Sequence, residues 1–275
     1  NKYNGYEISI YRNDPNNINS LLDNNVLTLC EDSKGRLWIG TSRGLDLFNR
    51  RSRTFSHYQQ DNRNSDSLNG RRVTVILEDI TGLIWVGTSN GGLNLFNPET
   101  NHFIHYTSRP DDPGSLSSNA IQSIFQDENG RLWVGTVNGL NLFNRGQGTF
   151  TRFQHDPENP QSLSAPSVTA IQQDQIGRLW IGTQGGGLDL FDPDDQTFIP
   201  FQTGTNLSGN LVNTIFSASD GSMWVGSDSG LDVFSTRQLT AHHYFQIPPN
   251  SGRQGDETVN AIFEDLSGIL WIASN

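Results

Sequence analysis

Six histidines, one cysteine and 29 acids are the groups with which this 275-residue chain could run acid–base, nucleophilic or metal chemistry. Their spacing is poor for each. His102 and His105 stand three apart in a strand-like stretch, so they point to opposite faces and chelate badly; the adjacent His242 and His243 share that defect. His57 and His155 lie near the ends of separate stretches. Asp192-Pro193-Asp194-Asp195 gathers carboxylates without the further oxygen ligands that a calcium loop supplies. No nucleophile elbow and no phosphate loop is present, and the lone Cys30 excludes an intrachain disulfide or a cysteine zinc site; in its apolar run it reads as a buried thiol. The chain is therefore expected to carry no catalytic residues, no metal site and no cofactor.

Polar recognition is the chemistry that remains. Arg43, Asn90, Asn138, Gln184 and Asp228 each follow a Gly-Thr or Gly-Ser pair within a turn. Arg71 and Arg72 precede an apolar run, as do Asn24-Asn25, Ser118-Asn119, Asn210 and Glu257 elsewhere. Amides and guanidinium forks suit sugars and carboxylates. Arg43, Arg71, Arg72, Asn90, Asn138, Gln184 and Asp228 are thus the candidate ligand-binding residues, for a small polar ligand or an oligosaccharide. A net charge of −11 argues against nucleic acid and against an anionic membrane surface as partners. No apolar run reaches the ~18 residues of a membrane span. The polar opening Asn1-Lys2-Tyr3-Asn4 lacks a signal-peptide pattern, and without an initiator Met it is not expected to be the natural start.

What positions these residues is a repeat. Trp38, Trp85, Trp133, Trp180, Trp224 and Trp271 are the chain's six tryptophans, 44 to 48 residues apart. Each sits in a phrase such as Leu37-Trp38-Ile39-Gly40-Thr41, with a Gly three residues before it and an Asp six before; the fifth repeat has Ala218 in place of that Asp. An aromatic follows ten or eleven residues on, at Phe48, Phe96, Phe143, Phe191 and Phe234. Within one unit, Val26 to Glu31, Arg36 to Thr41, Leu45 to Phe48 and Thr54 to Tyr58 read as four short strands separated by Asp/Gly turns. No stretch sustains a 3.6-residue period, so helices should be scarce. Four strands per repeat predict an all-β fold, a β-propeller of four-stranded blades. The predicted single domain, 1–275, has blade units at about 26–72, 73–119, 120–167, 168–211 and 212–258. Residues 259–275 together with 1–25 make a closing blade, giving a ring of six, or of seven if the chain is a fragment. Each Trp is expected to fill the gap between neighbouring blades, and each Asp-x-x-Gly to cap a turn. One innermost-strand slot varies, as Leu27, Thr74, Gln122, Thr169, Asn213 and Asn260, and could line a wet channel or bond locally.

The phrase Asp-x-x-Gly-x-Leu-Trp-Ile-Gly-Thr-x-x-Gly-Leu-x-x-Phe, carried by Asp32 to Phe48 and its copies, resembles the two-component regulator propeller family. The connector Asp-Pro…Ser-Leu (Asp14-Pro15 with Ser20-Leu21, Asp112-Pro113 with Ser115-Leu116, Asp156-Pro157 with Ser162-Leu163) and the opening Asn1 to Glu7 resemble it too. The resemblance implies the extracytoplasmic, periplasmic part of an inner-membrane sensor whose output module, a histidine kinase or a diguanylate cyclase, lies outside this chain. It also implies a homodimer in the full-length sensor and, for several such sensors, a response to oligosaccharides. Family rings commonly have seven blades, so six repeats are a departure. A WD40 repeat is a poorer match, because Trp is not followed by Asp. Two other readings are a propeller lyase similar to streptogramin lyase, which needs an acid–base His beside a carboxylate or metal on the loop face, and a structural dimerisation propeller without ligand.

Overall fold

A computed structural model describes residues 2–3, 6–202, 207–245 and 258–274. Among them there is no helix, and so none long and apolar enough to cross a membrane. The chain divides into two compact units, Asn1–Ile124 and Phe125–Asn275.

The first unit opens with the hairpin β1 (Lys2–Tyr3) and β2 (Ile8–Ser9). Its first blade is β3 (Val26–Glu31), β4 (Leu37–Thr41), β5 (Leu45–Asn49) and β6 (Thr54–Tyr58). Its second is β7 (Val73–Glu78), β8 (Ile84–Thr88), β9 (Leu93–Asn97) and β10 (His102–Tyr106). The unit boundary falls within β11 (Ile121–Gln126), which heads a sheet continuing through β12 (Leu132–Thr136), β13 (Gly139–Asn144) and β14 (Thr149–Phe153). The second unit goes on with β15 (Val168–Gln173), β16 (Leu179–Thr183), β17 (Gly187–Asp192) and β18 (Thr197–Phe201). The next blade is β19 (Val212–Ser217), β20 (Ser222–Ser227), β21 (Gly230–Ser235) and β22 (Thr240–Phe245). The unit ends in the hairpin β23 (Val259–Glu264) and β24 (Leu270–Ser274). All pairings with a recorded register are antiparallel between strands adjacent in sequence, as hairpin-length turns require. The blades of the expected β-propeller are therefore present.

The Asp-x-x-Gly turn is fixed by its own carboxylate. Asp32 Oδ1 accepts from the Lys34 and Arg36 amides, while Gly35 takes φ +74°, a conformation that favours glycine. Oδ2 accepts from Trp38 Nε1 at 2.8 Å and from Arg36 Nε at 2.6 Å, and the Arg36 guanidinium lies 5.6 Å over the indole. Burial pushes the Asp32 carboxyl up, but these donors outweigh it and hold it below the usual carboxylate range. The same set recurs as Asp127–Arg131–Trp133 and Asp174–Arg178–Trp180. In the fifth repeat Ala218 offers no acceptor, and Trp224 Nε1 is buried without a partner.

The indoles then wedge the sheets. Trp38 packs into Val73, Ile76 and Phe96 of the second blade, Trp133 into Val168, Ile171 and Phe191, and Trp180 into Val212, Ile215 and Phe234. Side chains of the next blade press against the strand beside them. A Cβ on Gly182 would lie 2.6 Å from Val212 Cγ1, which is why a Gly follows the Trp-Ile pair there. The outer members of the series depart from the expected burial. Leu29 is 61% exposed where its counterparts Ile76, Ile171 and Ile215 are each 7% exposed, and Trp271 is 62% exposed. Trp271 keeps its Asp265 bond, 2.8 Å, but no sheet of its own unit covers it. The Trp row thus buries Trp38, Trp85, Trp133 and Trp180, not all six alike. Cys30 is half-buried against the first unit's core, not fully enclosed as expected; burial raises its thiol above the ordinary value.

Candidate ligand-binding face

Two sets of loops meet at one edge of each blade. The Ser42 amide donates to Asn25 O, Ser89 to Arg72 O, Gln184 to Ser167 O and Asp228 to Leu211 O. Each bond ties the turn between a blade's second and third strands to the residue just before its innermost strand. A buried hydroxyl helps: Thr41, Thr88, Thr136 and Thr183 Oγ1 donate to the Gly44, Gly92, Gly139 and Gly187 carbonyls, closing the turn. The sequence Gly-Thr-x-x-Gly therefore builds a rigid base from which the two intervening side chains project into solvent.

All seven candidate residues are exposed. Arg43, Arg71, Arg72 and Asn90 belong to the first unit, and Asn138, Gln184 and Asp228 to the second. In the first unit Arg72 Nη1 lies 3.3 Å from Ser42 Oγ, to which Asn25 Nδ2 also donates at 2.7 Å, so the turn of the first blade touches the strand entry of the second. Arg43 adjoins Ser42, and Arg71 adjoins Arg72. Among the described residues none of these three guanidiniums has a carboxylate partner, whereas Arg36, Arg50, Arg131 and Arg178 do. Arg43 is held through its backbone, by Thr41 Oγ1 and Gln59 Nε2, which leaves its side chain unengaged. In the second unit Gln184 Oε1 accepts from Ser167 Oγ at 3.4 Å, and Asp228 carries the opposite charge. Glu257 lies outside the described residues.

The variable innermost-strand slot has a structural explanation. Registers shift between Val73 and Val75, Val168 and Ala170, and Val212 and Thr214, so Thr74, Thr169 and Asn213 are the extra residues of β-bulges. The bulge turns each side chain toward the next innermost strand. Thr74 Oγ1 donates to Ile121 O at 2.7 Å, Thr169 Oγ1 to Val212 O, and Asn213 Nδ2 to Val259 O at 3.1 Å. These three join strands, and Leu27 occupies the same slot in the first blade without a polar atom.

A second row of polar side chains, missed in the sequence, holds the loops from beneath. Asp46, Asn94, Asn141, Asp189 and Asp232 are fully buried at one position of each third strand, and each faces a fourth-strand residue: His57, His105, Arg152, Pro200 and His243. Asp46 Oδ2 accepts from the Leu22 amide while Oδ1 meets His57 Nδ1 at 2.5 Å, and His57 Nε2 donates to Ile18 O at 2.7 Å. Asp232 Oδ1 similarly meets His243 Nδ1, with Ser208 Oγ at 2.8 Å. Burial drives the Asp46 carboxyl above its ordinary range against the pull of His57. The repeated Leu-Asp/Asn-Leu/Val-Phe was the signal for this row. Four of the six histidines are thus engaged in pinning connectors, with His57 and His243 joined by His105, whose Nε2 contacts Ser67 O at 2.9 Å, and His155, whose Nδ1 contacts Leu163 O at 2.7 Å; His102 Nε2 lies 3.2 Å from Asp66 Oδ1. No group of three or more His, Cys, Asp or Glu able to hold a metal ion occurs among the described residues.

A cleft of about 820 Å3 in the first unit lies elsewhere. It is the flank of the first blade, floored by Leu29, Ile39, Phe48 and Phe55 beside Ile10 and Tyr11, and it includes none of the seven candidates. The equivalent flank of the second, fourth and fifth blades is buried against the sheet before it.

Comparison with known proteins gives a consistent picture. Five stretches match the family model described as two component regulator propeller: residues 20–43, 67–90, 115–138, 162–185 and 206–229. Each runs from a connector through its innermost strand to the Trp strand and into the following turn. No curated protein is similar enough in sequence to count as a relative. Among solved structures, the extracellular domain of the hybrid two component system BT3049 from B. thetaiotaomicron superposes with a TM-score of 0.74 at 24% identity, over 92% of this chain and 39% of that one. This chain thus spans about two fifths of that domain. Virginiamycin B lyase from Staphylococcus aureus superposes with a TM-score of 0.66 at 17% identity, over 90% and 77%. PorZ, a surface component of the type-IX secretion system of Porphyromonas gingivalis, gives 0.57 at 16%, over 100% and 47%. At these identities the likeness is one of fold.

Proposed function

The chain is built from repeats of the two component regulator propeller family, and on that premise we propose that it is the ligand-sensing part of a membrane-bound signalling protein. The proposed ligand is an oligosaccharide or another small polar molecule, bound at the loop face of the first unit by Arg43, Arg71 and Arg72 with Asn90; Asn138, Gln184 and Asp228 are the candidates on the loops of the second unit, taken by itself. The observation that carries this reading is the set of three arginines without carboxylate partners on the loop face of a chain with net charge −11. Other exposed arginines, such as Arg51 and Arg63, are also without an acid among the described residues; these three differ in standing together on one loop face, beside Asn25 and Ser42. The likeness to an extracellular two component domain supports an extracytoplasmic, periplasmic location, and the output kinase or cyclase belongs to sequence outside these residues, as does the homodimer.

The lyase reading has the fold likeness in its favour. It requires an acid–base histidine free to reach substrate on the loop face. His57, His105, His155 and His243 instead bond connector carbonyls, a connector hydroxyl or buried carboxylates. The sensor reading is therefore preferred.

A screen of oligosaccharides and amino acids by thermal shift, followed by titration of the hit, tests it. Arg43, Arg71 and Arg72 replaced together by Ala should weaken binding at least tenfold and leave Tm near wild type. Wild-type affinity in the triple variant overturns the site. A hit-free screen with a flanking reading frame that lacks any output module overturns the sensor.

A further inference from the structure

The fourth-strand residue opposite the buried polar row is a partner in the first and last complete blades and a blank in the fourth. Asp46 and Asp232 each spend one carboxylate oxygen on a histidine. Asp189 is equally buried, but its cross-strand neighbour is Pro200, which has no polar side-chain atom. Asp189 Oδ2 accepts the Ser164 amide at 3.0 Å and Ser164 Oγ at 2.8 Å, so it anchors the connector leading into β15. Asp189 Oδ1 has no partner at all. A buried carboxylate with an orphan oxygen is costly unless it is neutralised.

The strands that face Asp189 supply no counter-charge. The facing residue on β16 is Ile181, that on β18 is Pro200, and the connector contributes Ser164, whose hydroxyl also lies 3.3 Å from that of Thr183. His155 is the ionisable group acting on the site; it lies at the connector's start, exposed, with Nδ1 on the Leu163 carbonyl.

We propose that Asp189 is a proton-binding site built into the loop face, whose occupancy governs how firmly the connector at Ser164 is held. With the proton bound, the orphan oxygen carries no charge to hydrate and the connector stays closed. Without it, the carboxylate is relieved by opening the connector to water. Burial, the main cause, lifts this carboxyl to about 7 against the bonds from Ser164. The sign follows. The folded state holds the proton more tightly than the unfolded chain, whose carboxyl has an ordinary value near 3.8. Stability from this site is complete below that value, declines as pH rises toward about 7, and is constant above.

Urea unfolding of the chain from pH 5 to 9, in wild type, Asp189→Asn and Pro200→His, tests the proposal. The ratio of wild-type to Asp189→Asn unfolding constants should rise by up to tenfold per pH unit between pH 5 and 7 and then level off. Pro200→His, which restores the partner present in the first and fifth blades, should flatten that rise. Parallel profiles for wild type and Asp189→Asn overturn the proposal. If Asp189→Asn does not fold, the 13C resonance of the Asp189 carboxyl in wild type decides: a midpoint above pH 5.5 supports the site and one below overturns it. Amide exchange at Ser164 should accelerate with pH beyond that at Ser208, whose carboxylate has its histidine; equal acceleration overturns the link to the connector.

Discussion

At the scale of single residues, one carboxylate and one indole make the unit of construction. Asp174 Oδ2 takes both Trp180 Nε1 and Arg178 Nε, so its removal strands two buried or half-buried donors. Asp174→Ala should cost about 3 kcal/mol, more than a solvent-exposed ion pair, measurable as a lowered urea midpoint. The fifth repeat offers the converse experiment. Trp224 Nε1 lacks an acceptor because Ala218 stands in the Asp slot, and Ala218→Asp should raise stability by about 1 kcal/mol, visible as a higher Tm. Burial decides the indoles themselves. Trp180→Ala should cost roughly 3–5 kcal/mol, whereas Trp271→Ala, at 62% exposure, should cost less than about 1 kcal/mol in the same assay. The Asp-x-x-Gly spacing revealed the turn cap but not the indole bond, because a hydrogen bond six residues along the chain depends on how the two strands fold back.

At the scale of elements, the innermost strands carry the joints. Their bulge residue is free of the ladder, and its side chain bridges to the next strand, as Thr169 does to Val212 O. Thr169→Val keeps the shape and loses the bond; the expected loss is about 1 kcal/mol by chemical denaturation, a result that separates a joint from a channel lining. Close approach behind the tryptophan is equally testable. Gly182→Ala places a Cβ 2.6 Å from Val212 and should cost about 1–3 kcal/mol through overpacking. The sixth repeat has Ala273 at that position, in an uncovered hairpin where every residue of β24 after Leu270 is exposed. Strand order and turn positions were legible from the tryptophan spacing, since a short hairpin fixes its partners. The bulge was not: an extra residue in a strand leaves no compositional mark, and Leu27, Thr74 and Asn213 share only their place.

At the scale of each whole unit, the same repeat yields a buried middle and bare outer flanks. In the first, Leu29 and the cleft about it lie open, and in the second Trp271 does. The loop faces differ in charge between units, arginines in the first and Asp228 in the second, while the supporting bonds are the same. Recognition by Arg43, Arg71 and Arg72 at exposed positions should be sensitive to ionic strength. The affinity for an anionic hit should fall severalfold between 0.05 and 0.5 M salt, roughly the range over which the Debye length shrinks from above 10 Å to below 5 Å, and titration at both salts checks it. A salt-insensitive affinity would place the ligand on the amides instead.

The six indoles and their Asp and Gly neighbours were enough, read as letters, to give four strands per repeat, the turns, and the loops from which Arg43 and Arg72 project. Those features are local: they depend on pattern over a few residues and on the conformations Asp and Gly allow. Which side chains end up paired is not local. That Arg72 reaches Ser42 across 30 residues, that His57 meets Asp46 while Pro200 leaves Asp189 with an orphan oxygen, and that Trp271 is bare while Trp180 is sealed, all follow from contacts between strands and between sheets. Only packing brings distant residues within 3 Å and excludes water there, and with water excluded a missing partner becomes costly.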